Sequence, residues 1–223
     1  MSSVLDSYRD DGAITGALAR AARGPLASAP AAPVLLTLAG ALPLVLVLLD
    51  RGAVDGWPLP VAVAWYVLTA GAAAGRSHVS KLDWVIPPLL RAVEYFTLAR
   101  VVAVVDPAAQ PAAYALLAAL AFHHYDTVYR LRHRRVAPPT WLRLAGGGWD
   151  VRLLLACLLV GVGGLGMGAA VAAAVLGVLY VGESTAGWLR PNREGRDART
   201  ARAAAREGST AAEGSGEHDE GDA

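Results

Sequence analysis

The stretch that decides the fold is residues 151–189, VRLLLACLLVGVGGLGMGAAVAAAVLGVLYVGESTAGWL. It is 39 residues long and nearly free of charge, whereas one helix needs only about 20 apolar residues to cross a bilayer. The glycine-rich centre at residues 161–166 therefore divides the stretch into two short helices joined by a turn. A single tilted helix is disfavoured because it would put the arginine-rich tail outside the cell.

Four further apolar runs precede this stretch, and each is bounded by charge or proline. They are residues 33–49, 59–75, 82–105 and 108–131. Composition agrees with a membrane protein, since 55% of the residues are apolar and 17% are charged, against about a quarter in soluble domains. We therefore predict an all-α fold, a polytopic membrane helix bundle with six transmembrane helices.

Basic residues are distributed very unevenly between the predicted loops. Seventeen of the 20 Arg and Lys residues fall in the segments that share one side of a six-helix arrangement, and the opposite side has Arg51 alone. The positive-inside rule puts both termini in the cytoplasm and makes this a multi-pass protein of the inner (plasma) membrane. Because the membrane explains the basic residues, nucleic acid is not expected as a partner.

Two segments flank the predicted six-helix domain of residues 33–189. Residues 1–32 open with Asp6, Asp10 and Asp11 and have no apolar core, which excludes a signal peptide. We predict a cytoplasmic leader with an interfacial helix around residues 14–23. Residues 190–223 are rich in Gly, Ser, Ala and Glu, and are predicted to form a disordered charged tail.

Ionisable residues inside a membrane span cost free energy, and nearly all of those in the predicted spans lie toward the cytoplasmic end of their span. With a rise of about 1.5 Å per residue, Arg91 lies about 13 Å and Glu94 about 18 Å along the third span. At about 100° per residue, both share a helix face with Asp83. Pro87 and Pro88 lie between these residues and free backbone carbonyls there.

The fourth span carries a second polar face, formed by His123, Asp126, Thr127 and Arg130, while His124 points elsewhere. Lipid cannot satisfy such faces, so we expect the two to face each other. Asp150 and Glu183, near the cytoplasmic ends of the last two spans, are expected to join them. Asp150 is also expected to cap the fifth helix after a glycine-rich loop.

These side chains predict a phosphate-ester or diphosphate site. Converging carboxylates suit Mg²⁺ or Mn²⁺, and guanidinium groups suit phosphate. The predicted metal ligands are Asp83, Glu94, Asp126, Asp150 and Glu183. The predicted phosphate-binding residues are Arg91, Arg130 and Arg152. The predicted catalytic residues are His123, Asp126 and Glu94, with His123 as general base or acid. The alternative is that Arg91 pairs with Glu94 and Arg130 with Asp126 as structural ion pairs that fix helix register.

Several motifs carry a resemblance to a known family. They are Leu82-Asp83-Trp84, Pro87-Pro88-Leu89-Leu90-Arg91, Glu94-Tyr95, His123-His124-Tyr125-Asp126-Thr127-Val128-Tyr129-Arg130, Gly147-Gly148-Trp149-Asp150 and Arg152. Together they resemble an actinobacterial integral-membrane domain of unknown function that is often fused behind nucleotidyltransferase and CDP-alcohol phosphatidyltransferase domains. The resemblance covers roughly residues 59–189 and implies a setting in phospholipid or polyol-phosphate metabolism. Tyr8-Arg9-Asp10-Asp11-Gly12 also resembles the segment that begins such transferases, but the transferases' own signature is not completed here.

Two hypotheses of function follow. The first is a metal-dependent transferase or hydrolase that acts on a phosphorylated lipid or polyol from the cytoplasmic leaflet. The second is a non-catalytic membrane partner of a phospholipid-synthesising enzyme, such as a CDP-alcohol phosphatidyltransferase. A transporter is less favoured because the outer half of the bundle has almost no polar lining besides Arg100. Membrane lipid is an expected partner under both hypotheses.

Overall fold

The computed structural model describes residues 8–22, 32–75, 82–134 and 137–189, and among these residues it contains helices and no strand. The α-helices are α1 (Ala13–Ala21), α2 (Ala32–Leu49), α3 (Arg51–Val54), α4 (Pro58–Ala74), α5 (Ile86–Val105), α6 (Gln110–Tyr129), α7 (Thr140–Ala145), α8 (Gly148–Gly161) and α9 (Leu165–Leu189). Short 3₁₀ turns precede α5 (Asp83–Val85) and α6 (Pro107–Ala109), and a π-helical turn (Arg130–Arg134) follows α6.

The chain divides into two compact units, Met1–Gly182 and Glu183–Ala223. The first contains α1 to α8 and most of α9. The described part of the second is the last turns of α9, up to Leu189. The predicted disordered tail, residues 190–223, lies outside the described residues.

The four apolar runs and the two halves of residues 151–189 each form a helix close to the predicted bounds. The division of residues 151–189 is confirmed, because α8 ends at Gly161 and α9 begins at Leu165. Gly163, between them, has φ +70°, a conformation that glycine adopts without steric cost. The glycine-rich segment is therefore a turn between two helices.

Two segments of the described chain are long and apolar enough to cross a membrane: Thr140–Gly161, which joins α7 to α8, and Leu165–Leu189. Pro33–Leu49 and Pro58–Ala74 are apolar but shorter, and α5 and α6 include the charged residues that lower their hydropathy. Length and composition thus identify two candidate spans where the sequence predicted six.

The core of the first unit is apolar and lies where α2, α4, α5 and α8 meet. Its fully buried members include Leu44, Leu48, Val63, Tyr66, Leu90, Trp149 and Leu153. On α5, Arg100 donates a 2.8 Å hydrogen bond from Nε to the carbonyl of Leu48, near the end of α2. This bond gives one charged side chain of the apolar region a structural partner.

Residues 8–22, the part of the leader that the structure describes, pack into the same core. Their helix α1 packs along α4, where a Cβ on Gly71 would collide with Leu18. Arg9 and Thr15 are almost fully buried. Arg9 donates from Nε to Asp11 (2.8 Å) and from Nη2 to the Ala70 carbonyl (3.2 Å). Residues 8–22 are therefore an integral part of the first unit.

Candidate functional site

Two glycines let the leader approach the start of α8 closely. A Cβ on Gly12 would collide with the Asp150 carboxylate and the Gly147 carbonyl, and a Cβ on Gly148 would collide with the backbone of Gly12. Gly148 also has φ +70°. The crossing therefore requires glycine on both segments.

Asp150 holds the N-terminus of α1. One of its carboxylate oxygens accepts from the backbone N–H of Gly12 at 2.9 Å and the other from that of Thr15 at 2.7 Å. A carboxylate there satisfies unpaired N–H groups and opposes the positive end of the helix dipole. The sequence predicted that Asp150 would cap the helix that it begins, α8, but the structure has it capping α1, because the leader folds back onto it.

The Asp10 carboxylate is the centre of a charged cluster. Its Oδ2 lies 2.8 Å from Arg152 Nη2, 3.4 Å from His124 Nε2 and 3.7 Å from Arg91 Nη1, and its Oδ1 lies 4.0 Å from His123 Nε2. Burial alone would raise the pKa of Asp10. Arg152, a hydrogen bond from His124 and Arg91 together outweigh burial and hold that pKa well below its usual range.

Glu94 is the second carboxylate of the cluster and is completely buried. It accepts from Arg152 Nε at 2.6 Å and from Arg91 Nη1 at 3.1 Å. Arg152 also donates to the Gly146 carbonyl, and Arg91 donates to the carbonyls of Tyr8 and Arg9. Two arginines and two carboxylates thus balance in charge and join the leader to α5 and α8.

A cavity of about 550 Å³ adjoins this cluster and is called the polar cavity below. The residues that line it are Tyr8, Asp10, Trp84, Pro87, Pro88, Arg91, Tyr95, Ala121, His123, His124, Thr127 and Val128. At its wall, the Tyr95 hydroxyl lies 2.6 Å from His124 Nδ1. Because the Asp10 carboxylate can only accept, we assign the His124 proton to Nε2, so that Tyr95 donates to Nδ1.

Three lining residues keep hydrogen-bonding capacity for a ligand. The Thr127 hydroxyl is buried and has no hydrogen-bond partner among the described residues. Neither ring nitrogen of His123 makes a hydrogen bond within the described chain, and the ring stacks on Tyr180 with centroids 4.1 Å apart. Arg91 uses three of its five N–H groups in the bonds given above. A buried hydroxyl without a protein partner can bond a water molecule or a polar ligand.

The structure separates the predicted site residues into groups. Arg91 and His123 line the polar cavity, while Glu94 and Arg152 belong to the ion cluster beside it. Asp126 pairs with Arg130 at 2.8 Å, and neither lines the cavity. Asp83 is buried in the 3₁₀ turn before α5. Glu183 is in the second compact unit, so its predicted place in the site stays a prediction.

The predicted Mg²⁺ or Mn²⁺ site has no matching set of ligands in the described part of the chain. No three His, Cys, Asp or Glu side chains there are arranged to hold a metal ion. Both oxygens of Asp150 accept backbone N–H groups, and both oxygens of Glu94 face guanidinium groups. These two carboxylates are poor metal ligands in this arrangement, and the metal requirement stays a prediction.

Sequence reasoning missed Asp10, His124 and Tyr95 as members of the site. The leader places Asp10 between the two histidines. Each histidine ring contacts a different oxygen of the Asp10 carboxylate, so His124 is part of the cluster. The helical period of the fourth span places His124 away from the other polar residues, and the contact with Asp10 depends on the leader, which lies outside that span. The signal that was available is the Asp10-Asp11-Gly12 sequence in the leader.

Comparison with known proteins shows which family the chain belongs to. No curated protein and no solved structure matches the chain. A family model matches residues 2–211, which include the leader, the ion cluster and the polar cavity. The chain belongs to this family, which is described as a family of unknown function (DUF5941).

Proposed function

We propose that this protein binds a phosphorylated lipid or polyol in the polar cavity and transfers or hydrolyses its phosphate ester. The observation that carries the proposal is the cavity wall, which Arg91, His123 and Thr127 line together. The Thr127 hydroxyl has no hydrogen-bond partner among the described residues. A guanidinium and a hydroxyl are suitable donors to phosphate oxygens, and a neutral imidazole accepts a proton. The three groups therefore supply binding and proton transfer in one place.

In the proposed step, an oxygen of water or of an acceptor alcohol attacks phosphorus and its proton passes to His123. The ester P–O bond breaks, and the leaving oxygen takes a proton from the imidazolium or from water. Arg91 stabilises the negative charge of the phosphate group throughout. Asp10, His124 and Tyr95 act as positioning residues that hold Arg91 and the cavity wall.

The proposal includes the predicted setting: six spans in the plasma membrane, both termini in the cytoplasm and the cavity facing the cytoplasm. Two candidate spans support it, as do the apolar exteriors of the shorter helices. Exposed side chains include Leu42 and Leu46 on α2 and Val61 and Leu68 on α4, all more than half exposed. Apolar surface of this extent on a monomer is typical of a membrane or protein contact.

The test uses the full chain in lipid nanodiscs, with glycerol 3-phosphate and hexadecyl phosphate as substrates and phosphate release or transfer as the readout. We expect His123→Gln to lower turnover about 10²-fold or more, the range of a general base. His133→Gln is the matched control, because His133 is exposed and its ring contacts only the ring of Tyr129 among the described residues. Equal turnover by both variants and the wild type would contradict the assignment of His123.

A second candidate, a non-catalytic partner of a CDP-alcohol phosphatidyltransferase, is favoured by a different observation. The pairs Arg91–Glu94 and Arg130–Asp126 are both formed, as a purely structural role requires. Under this hypothesis the chain turns over no phosphate ester alone. It would instead raise the melting temperature or the activity of the transferase when the two are reconstituted together.

A further inference from the structure

A second cavity, of about 400 Å³, lies between α5, α6, α8 and α9 and is called the apolar groove below. Its walls are mainly aliphatic side chains and small residues, including Leu98, Leu116, Leu155, Ala169, Ala172 and Leu176. Among the described residues that line it, Arg152 alone is charged. The groove is therefore suited to hydrocarbon and has one cationic point on its wall.

Arg152 connects the apolar groove to the polar cavity. It lines the groove, and its guanidinium donates at 2.8 Å to Asp10, which lines the polar cavity. Leu98 of the groove is also one helical turn from Tyr95 of the polar cavity on α5. The Arg152–Asp10 ion pair thus belongs to the walls of both spaces.

The groove is bordered by apolar surface. On α9, Val171 and Val175 line the groove and are about half exposed, while Met167 and Val178 on the same helix are 75% and 77% exposed. Helix α9 is a candidate span, and in the proposed membrane setting this surface would contact acyl chains. An apolar cavity of this kind does not hold ordered water, since it offers too few polar partners.

We infer that the apolar groove binds the hydrocarbon chain of a lipid, and that the substrate class of the polar cavity is consequently a lipid phosphate and not a water-soluble polyol phosphate. The assignment of a hydrocarbon-binding subsite is based on the groove itself. The link between this subsite and the substrate rests on the proposed function. Arg91 supports the assignment, because it lines the polar cavity and keeps two N–H groups for the phosphate of such a lipid. Arg152 is already paired with Asp10 and Glu94 and holds the wall beside the groove.

The experiment uses hexadecyl phosphate with a photoreactive diazirine near the end of its chain, added to the full protein in nanodiscs. Covalent adducts are mapped by mass spectrometry. We expect them on groove-lining residues of α8 and α9. Val175→Trp, which fills the groove from a half-exposed position, is compared with Val178→Trp, which is on the same helix but does not line the groove. Ala172→Phe provides a second filling variant.

Filling the groove should reduce labelling about tenfold, because displacing even two methylene groups removes that much affinity. The Val178→Trp control should label like the wild type. Equal labelling of the filled and control variants, or adducts scattered over α2 and α4, would overturn the inference.

Turnover separates this inference from the proposed function. If glycerol 3-phosphate is turned over as well as hexadecyl phosphate, and Val175→Trp has no effect, the lipid assignment fails while the proposed function stands. If groove labelling occurs as expected but neither ester is turned over, the proposed function fails while the chain subsite stands.

Discussion

The Asp10 carboxylate and the Arg152 guanidinium lie 2.8 Å apart, although 142 positions of the chain separate them. Two further contacts join the same segments: Trp149 donates its backbone N–H to the Asp10 carbonyl, and Asp150 caps α1. Because Arg152 also bonds Glu94, the leader completes a charge cluster that α5 and α8 would otherwise leave with an unpaired arginine.

Asp10→Asn should destabilise the protein by about 3–5 kcal/mol, the usual cost of removing one charge from a buried ion cluster, because Arg91 and Arg152 would then share the single charge of Glu94. The free energy of unfolding in detergent is the measurement. Asp55→Asn is the control, since Asp55 is exposed at the loop before α4. A loss no larger than that of the control would show that Arg152 does not depend on Asp10.

The contribution of Asp10 should also depend on pH. Its folded-state pKa is lowered from an ordinary value near 4, so the carboxylate adds stability above pH 4 and loses it as the pH falls toward the folded-state pKa. The difference in unfolding free energy between wild type and Asp10→Asn should be constant from about pH 6 to 8 and shrink below about pH 4. A difference that grew on acidification would contradict this.

Gly12→Ala should detach the leader, because the added Cβ collides with Asp150 and the Gly147 carbonyl. The expected result is rapid tryptic cleavage after Arg9, which is buried in the wild type. Gly16→Ala, within α1, meets only the end of the Arg20 side chain at 3.9 Å and should stabilise the helix by about 0.5–1 kcal/mol. If the two variants were cleaved at equal rates, the close crossing would not be what holds the leader.

Much of the fold follows from local features of the sequence. Long apolar runs predicted the helices, and the segment around Gly163 predicted the turn between α8 and α9. The site was only partly predictable, because its centre is a contact across 142 positions. Nothing in the helical period of α5 or α6 indicates that Asp10 will lie between His123 and His124. The helical period places the charged residues of α5 on one face of the helix. It does not show that Arg91 will lie beside Asp10, because that contact depends on how the leader folds back.

Membrane topology is a separate prediction from charge. Reporter domains fused after Gly56 and after Asp106 should lie outside the cytoplasm, and one fused after Asn192 should lie inside, because basic residues favour the cytoplasmic side. Alkaline phosphatase and green fluorescent protein fusions give complementary readouts. A cytoplasmic location for the Asp106 fusion would rule out the six-span arrangement.

The central claim, that the polar cavity binds a phosphate group, is tested most directly by the thermal shift that hexadecyl phosphate produces in Thr127→Val. This change keeps the side-chain shape and removes the hydroxyl that has no partner among the described residues. Thr97→Val is the control, since the Thr97 hydroxyl donates within its own helix to the Val93 carbonyl at 2.7 Å. We predict that Thr127→Val without ligand melts at or above the wild-type temperature, and binds the ligand about tenfold more weakly, as expected for one lost hydrogen bond. Thr97→Val should bind like the wild type. Unchanged binding by Thr127→Val, or no shift in the wild type at any ligand concentration, would contradict the account.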